Sequence, residues 1–197
     1  DTINSRFQIY QRGGGVLGTF GSRGAGPYQF YYVTDIALDA DGNIYVADSN
    51  NCRVQKYSNS GQYLKTFGAG YGFDNTHLQF PEGICLDRRG NLYVADKWNN
   101  RVQKFDSDGN YLQTFGTQGK GPGQFSFPSG CVVASNGDLF VADYINNSVQ
   151  QFTSRGVLVR SFDDTVWDIP FGVTLDAHEN LYVADETLGV VRYHLAA

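Results

Sequence analysis

A six-residue phrase returns four times along this chain of 197 residues. It reads Asn-Ile-Tyr-Val-Ala-Asp from residue 43, Asn-Leu-Tyr-Val-Ala-Asp from 91, Asp-Leu-Phe-Val-Ala-Asp from 138 and Asn-Leu-Tyr-Val-Ala-Asp from 180, at intervals of 48, 47 and 42 residues. A repeat of this kind constrains a fold more than local propensity does, because each unit must bury its apolar face against the next. Periods of about 40–50 residues fit a four-stranded propeller blade. Composition agrees. With 24 Gly, 15% aromatic and only 18% charged residues, the chain suits short strands and tight turns better than long surface helices.

The second copy can be read strand by strand. Pro81 to Asp87 is a short apolar run, the innermost strand, and Arg88-Arg89-Gly90-Asn91 is a turn whose Gly and Asn tolerate positive φ. Leu92 to Asp96 is the second strand, and Lys97-Trp98-Asn99-Asn100 is a loop. Arg101 to Phe105 alternates like a half-buried strand. Asp106-Ser107-Asp108-Gly109-Asn110 is a hairpin turn, and Tyr111 to Gly116 is the fourth strand. The inner two strands read as near-continuous apolar runs packed on both faces, and the outer two alternate. Each buried Val, Leu or Phe contributes roughly 1.5–3 kcal/mol, so packing between blades supplies the stability and one blade alone would not fold.

The combined pattern, Pro-x-Gly-Ile-x-Leu-Asp, Gly-Asn-Leu-Tyr-Val-Ala-Asp, Asn-Asn-Arg-Val-Gln-Lys-Phe and Gly-x-Tyr-Leu-x-Thr-Phe-Gly, resembles the NHL repeat. The linkers 21–30 and 116–125 match it as well, so the resemblance covers essentially the whole chain. It implies a β-propeller whose relatives mostly bind proteins, glycans or RNA, with a few enzymes among them. Departures from the pattern are local. Asn99-Asn100-Arg101 is intact, while Asn50-Asn51-Cys52-Arg53 reads as stretched by one residue. Arg is lost at Asn146-Asn147-Ser148, and the element is gone at Leu188-Gly189-Val190. Asp35 stands where the other copies have Gly83, Gly130 and Gly172.

The expected fold class is therefore all-β, a propeller of four-stranded antiparallel blades with about four blade equivalents in one domain, 1–197. The repeats run about 33–67, 80–115, 127–162 and 169–195, with residues 6–20 supplying outer strands. A six-bladed ring at this period would need about 270 residues, which leaves three arrangements. The N-terminal strand at 16–20 completes the last blade and closes a small ring, the chain is a partial propeller, or two copies pool blades through open edge strands.

The chemistry expected of this frame is recognition rather than catalysis. A net charge of −5 without Lys or Arg clusters disfavours nucleic acid. No apolar run approaches the roughly 20 residues of a membrane span, and the first residues do not read as a signal peptide. Cys52, Cys85 and Cys131 lack metal-ligand spacing. Cys85 and Cys131 read as buried thiols in apolar strands, the odd count argues against a disulfide scaffold, and Cys52 reads as a loop thiol. Asp48, Asp96, Asp143 and Asp185 close the second strands and read as turn-forming carboxylates braced by Arg53 and Arg101. His77, His178 and His194 fall in unrelated places, so no metal ligand, cofactor or catalytic residue is expected. Thr34, Glu82, Ser129 and Phe171 occupy equivalent positions at the channel mouth, a mixed set unsuited to a metal ring.

Linkers and second-to-third-strand loops open on one face of a propeller. There the chain presents Arg23, Tyr28, Tyr71, Phe73, His77, Lys97, Trp98, Tyr144, Ile145 and Trp167. Side chains that vary on a constant frame, rich in Trp and Tyr, fit a recognition surface. The expected binding residues are Arg23, Tyr28, Tyr71, His77, Lys97, Trp98, Tyr144 and Trp167, and the expected partner is a protein or a glycan. The alternatives are a metal-dependent propeller enzyme of lyase or lactonase type, or an RNA-binding domain. Asn146-Asn147-Ser148 is a glycosylation sequon, which leans towards an extracellular setting.

Overall fold

The computed structural model describes residues 1–162 and 168–195. A hairpin of β1 (Phe7–Tyr10) and β2 (Val16–Phe20) comes first, followed by a parallel two-residue pair, β3 (Ser22–Arg23) and β4 (Gln29–Phe30). Blade 1 comprises β5 (Val33–Leu38), β6 (Ile44–Asp48), β7 (Arg53–Tyr57) and β8 (Tyr63–Phe67). Blade 2 comprises β9 (Pro81–Leu86), β10 (Leu92–Asp96), β11 (Arg101–Phe105) and β12 (Tyr111–Phe115). A second parallel pair, β13 (Thr117–Gln118) and β14 (Gln124–Phe125), leads into blade 3. That blade is β15 (Pro128–Val133), β16 (Leu139–Asp143), β17 (Ser148–Phe152) and β18 (Leu158–Phe162). The last sheet holds β19 (Pro170–Leu175), β20 (Leu181–Asp185) and β21 (Gly189–Tyr193). Within every blade, consecutive strands pair antiparallel. This is the four-blade all-β propeller architecture expected from the repeat.

Local chemistry explains each blade. Pro81, Pro128 and Pro170 open innermost strands, where an edge position leaves no ladder bond to lose. The first hairpin turn is tied by an aspartate: Asn43 N–H donates to Asp39 Oδ1 at 2.8 Å and Asn43 Nδ2 to Oδ2 at 2.8 Å. Asp87 with Asn91 and Asp176 with Asn180 repeat this arrangement. Register sets Tyr45 opposite Lys56 and Tyr93 opposite Lys104. Each ammonium lies 4.7–4.8 Å from the ring centre and 3.3 Å from the turn aspartate, a cation–π contact backed by an ion pair. Blade 3 exchanges the whole set for Ala134, Phe140 and Gln151.

Packing between blades forms the core. Tyr45, Val54 and Phe67 of blade 1 meet Ile84, Leu92, Val94 and Phe105 of blade 2. Equivalent clusters join blades 2 and 3, and blade 3 with the last sheet. The second strands β6, β10 and β16 are buried throughout, as is the third strand β17. The innermost strands are less buried than their apolar sequences suggest, and Ile36 and Leu38 of β5 are exposed. The physical reason is position: the second strand is covered on both faces and paired on both edges, whereas the innermost strand has one edge open to the axis.

The structure separates the three arrangements left open by the sequence and changes two expectations about cysteines. Among the described residues, β2 pairs with β1 alone and the last sheet has three strands, so the N-terminal strand does not complete it. The hairpin packs on blade 1 instead, with Phe7 and Phe20 set against Tyr57 and Tyr63. This repeats how Val54 and Phe67 pack on Phe105 and Tyr111, so β1 and β2 hold the places of third and fourth strands in front of blade 1. Next, Cys85 and Cys131 are joined as a disulfide, with Cα atoms 5.9 Å apart. They lie one register step apart on adjacent inner strands, Cys131 taking the place of Ile84 and Cys85 that of Val132, a proximity that the apolar pattern of each strand cannot reveal. Finally, Cys52 is buried, and burial pushes its thiol up from the usual value. It takes the left-handed position (φ 53°) that Asn100 and Asn147 take in blades 2 and 3, so the loop is not stretched.

Candidate functional site

The loop that follows each second strand is organised by the aspartate that closes it. Asp48 is fully buried. Its Oδ1 accepts Tyr31 N–H at 2.7 Å, and its Oδ2 accepts Asn51 Nδ2 at 2.9 Å and Arg53 Nε at 2.7 Å. Asp96 repeats this with Gln79, Asn99 and Arg101 at 2.6, 2.8 and 2.8 Å. The guanidinium groups then reach backbone carbonyls of the preceding linker: Ala25, Gly26 and Gln29 for Arg53, and Phe73, Asp74 and His77 for Arg101. One corner therefore clamps both the loop and the linker, which holds the exposed side chains of each in a set geometry. Burial pushes Asp48 and Asp96 up, with the hydrogen bonds and guanidinium partners opposing it. Asp185 is also pulled up by burial, but the N–H groups of Leu188, Asp168 and Thr187 hold it down at about 2.

On this frame stands a band of touching aromatic rings. Tyr71 meets Phe73 at 6.1 Å and Phe80 at 6.5 Å; Phe80 meets Trp98 at 5.0 Å, and Trp98 meets Phe127 at 5.9 Å. Beside it, Lys97 pairs with Glu82 at 3.2 Å and lies 5.8 Å from the Tyr144 ring, which meets Phe171 at 6.4 Å. Tyr71, Phe73 and Trp98 are 62%, 74% and 55% exposed. Large rings left open to solvent while stacked on one another are a contiguous apolar patch, not scattered surface residues. Inside the band, Phe80 and Phe127 have φ of 49° and 61°, and the equivalent Tyr32 has 71°. Bulky side chains seldom occupy that region.

The eight expected binding residues separate. Tyr71, Lys97, Trp98 and Tyr144 lie in or beside the band. Arg23 covers the Tyr31 ring at 4.6 Å. Tyr28 turns towards the outer strands: its hydroxyl accepts Tyr63 N–H at 2.7 Å, and its ring packs on Tyr57 and Tyr63. His77 is paired with Asp74 at 2.8 Å. Trp167 lies outside the described residues. Phe80 and Phe127 escaped the sequence reading, although an aromatic residue directly before each of the first three innermost strands (Tyr32, Phe80, Phe127) is visible in the repeat.

The mouth of the axis is a cavity of about 190 Å³ lined by Thr34, Asp35, Glu82, Ser129 and Phe171 among others. Asp35 accepts Ile84 N–H at 2.8 Å, and Thr34 Oγ1 donates to Pro81 O at 3.2 Å. These polar groups stitch neighbouring blades together. Among the described residues, no three His, Cys, Asp or Glu side chains gather as a metal-holding group, and no helix is long and apolar enough to cross a membrane.

Residues 30–57, 78–105 and 125–152 match the NHL repeat, each covering the first three strands of a blade. No curated protein matches the chain. Among solved structures, a streptogramin B lyase superposes with a TM-score of 0.73 at 17% identity, covering 98% of this chain and 63% of that one. The WD40 propeller domain of Doa1 gives 0.72 at 14% identity, with 98% and 58% covered. A nidogen/laminin complex gives 0.67 at 20% identity, with 90% and 65% covered. The chain spans less than two thirds of each of these, and at such identities the likeness concerns the fold.

Proposed function

Because the chain is a β-propeller with NHL repeats in three of its blades, we propose that it is a non-catalytic binding platform whose aromatic band receives a protein partner. The observation that carries this reading is the unbroken series of ring contacts from Phe73 through Tyr71, Phe80 and Trp98 to Phe127, in which Tyr71, Phe73 and Trp98 are exposed and Phe80 and Phe127 half-buried beneath them. Trp and Tyr dominate binding energetics because they bury large area at low conformational cost and offer a polar edge. The Lys97–Glu82 pair and Tyr144 border the band with polar groups, as the rim of an interface does.

The test uses the immobilised chain beside a Trp98→Ala/Tyr144→Ala variant, with capture from the native source and identification by mass spectrometry. Loss of two hot-spot rings should weaken the captured partner on the order of 30-fold or more, while the melting temperature stays near that of the parent. Equal capture by both proteins would remove the band from the interface. A glycan array run with the same pair reports whether a sugar, in place of a protein, is the species lost.

A further inference from the structure

Blade 3 keeps the backbone and asparagine bonds of the aspartate corner but lacks its arginine. Asp143 is fully buried; Oδ1 accepts Ser126 N–H at 2.8 Å, and Oδ2 accepts Asn146 Nδ2 at 2.6 Å. Asn146 also donates to Gly119 O at 2.8 Å, as Asn51 donates to Gly24 O at 2.8 Å. Gln150 donates to Gln124 O at 2.7 Å, as Gln55 donates to Gln29 O at 2.8 Å. The two linkers share one hydrogen-bonded shape. Ser22 pairs with Gln29 and Thr117 with Gln124; Gly24 N–H reaches Phe30 O at 3.1 Å and Gly119 N–H reaches Phe125 O at 3.0 Å. By this equivalence Lys120 and Gly121 stand where Ala25 and Gly26 offer their carbonyls to Arg53.

At the arginine position blade 3 has Ser148, and a cavity of about 230 Å³ opens there, lined by Lys120, Gly121, Pro122, Asn146, Ser148 and Gln150 among others. That is several times the roughly 30 Å³ share of one liquid water. Asn146 Oδ1 is buried without a hydrogen-bond partner. The last sheet also lacks the arginine, but there backbone N–H groups and Thr187 Oγ1 supply Asp185. Asp143 has no such substitute: among the described residues no cation pairs with it, and Lys120, the one cationic residue of the linker, forms no ion pair.

We propose that the cavity beside Asp143 is a binding site for a guanidinium group, carried either by a small free cation or by an arginine side chain of a peptide. By equivalence with blades 1 and 2, the Asp143 carboxylate, which Asn146 of the cavity lining touches, and the linker carbonyls are the acceptors that Arg53 and Arg101 satisfy from within the chain. A planar fork of five donors matches a carboxylate plus carbonyls set at an angle, whereas an ammonium is a compact point charge and spans them poorly. This site does not depend on the aromatic band. Burial raises the Asp143 carboxyl to about 7, so a bound guanidinium favours the ionised form, and binding below neutrality releases a proton from Asp143 to solvent.

Calorimetric titration of the whole chain with methylguanidinium chloride, against methylammonium chloride at equal ionic strength, tests this. Methylguanidinium should bind at least about tenfold more tightly, given the fork geometry, and more tightly at pH 8 than at pH 6. Ser148→Arg, which supplies the group internally, should abolish the binding and raise the melting temperature. Asp143→Asn, which keeps the shape and removes the charge, should abolish binding too, so the test survives if either variant folds poorly. Gly-Arg-Gly and Gly-Lys-Gly distinguish the sources: a peptide preference for Arg matching or exceeding methylguanidinium assigns the site to an arginine side chain, and exclusion of the peptide assigns it to a small cation. Equal binding by parent and Ser148→Arg, or no preference over methylammonium, would overturn the proposal.

Discussion

Arg101 shows how much one side chain can organise in this protein. Its Nε meets a fully buried carboxylate at 2.8 Å, and its terminal nitrogens hold three linker carbonyls. Removing it leaves Asp96 buried without its counter-charge, which costs about 3–5 kcal/mol. Arg101→Ala should therefore lower the urea midpoint strongly with little change in slope, and Arg101→Lys should recover only part, because an ammonium cannot fork. A midpoint within experimental scatter of the parent would show that the corner is not held by charge.

Asp143 makes a pH prediction at the same scale. Its folded value of about 7 lies above the ordinary 3.8, so the folded state holds a proton that the unfolded chain has released. Stability from this group is complete below about pH 4, declines as the pH rises, and is lost above about pH 7. Three pH units correspond to at most about 4 kcal/mol. Burial also raises Asp35, Asp48 and Asp96, so the slope is isolated by comparison with Asp143→Asn. Chemical denaturation from pH 4 to 8 should show the variant gaining on the parent up to neutrality. Parallel curves would argue against the shift.

At the level of strands, neighbouring innermost strands approach one another closely. A Cβ on Gly83 would collide with Ser129 O, and one on Gly130 would lie 2.8 Å from Phe171 O and 2.9 Å from Gly172 Cα. Gly172 is different, since its Cβ would meet only the Ala184 methyl at 3.6 Å. Gly83→Ala should accordingly cost about 1–3 kcal/mol through overpacking, while Gly172→Ala is near neutral. Thermal unfolding of the two variants checks this, and a reversal of their order would count against the packing account. The same spacing explains Asp35, whose carboxylate fills the interval between β5 and β9 and accepts Ile84 N–H. The disulfide between Cys85 and Cys131 ties the next pair of inner strands.

Across the whole molecule, protection grades from the middle outward. β10 and β16 have a blade against each face and are fully buried, whereas β2 and β21 expose Val16, Leu17 and Val190. Opening an outer sheet disrupts one interface and opening a middle blade disrupts two, so amide exchange should be slowest in β10, β11 and β16 and fastest in β1, β2 and β21. Uniform exchange would mean that the array opens as one unit.

Strand boundaries, turn chemistry and the blade repeat were legible in the residues, because each depends on neighbours a few positions apart: alternation, Asp-x-x-Gly-Asn turns, Pro at an edge. Part of the aromatic band was legible too, as Tyr71, Phe73 and Trp98, with Lys97 and Tyr144 beside them, stand in loops that vary on a constant frame. What could not be read there was the turn of Tyr28 onto the outer strands of blade 1, the pairing of Cys85 with Cys131, the seat of the N-terminal hairpin on blade 1 and the cavity that Ser148 opens beside Asp143. Each of these depends on residues from different blades or from a blade and its linker, as with Cys85 and Cys131, 46 positions apart. Such distances are closed only when sheets stack, and the stacking is set by side-chain volumes on two surfaces at once rather than by the order of residues along either one.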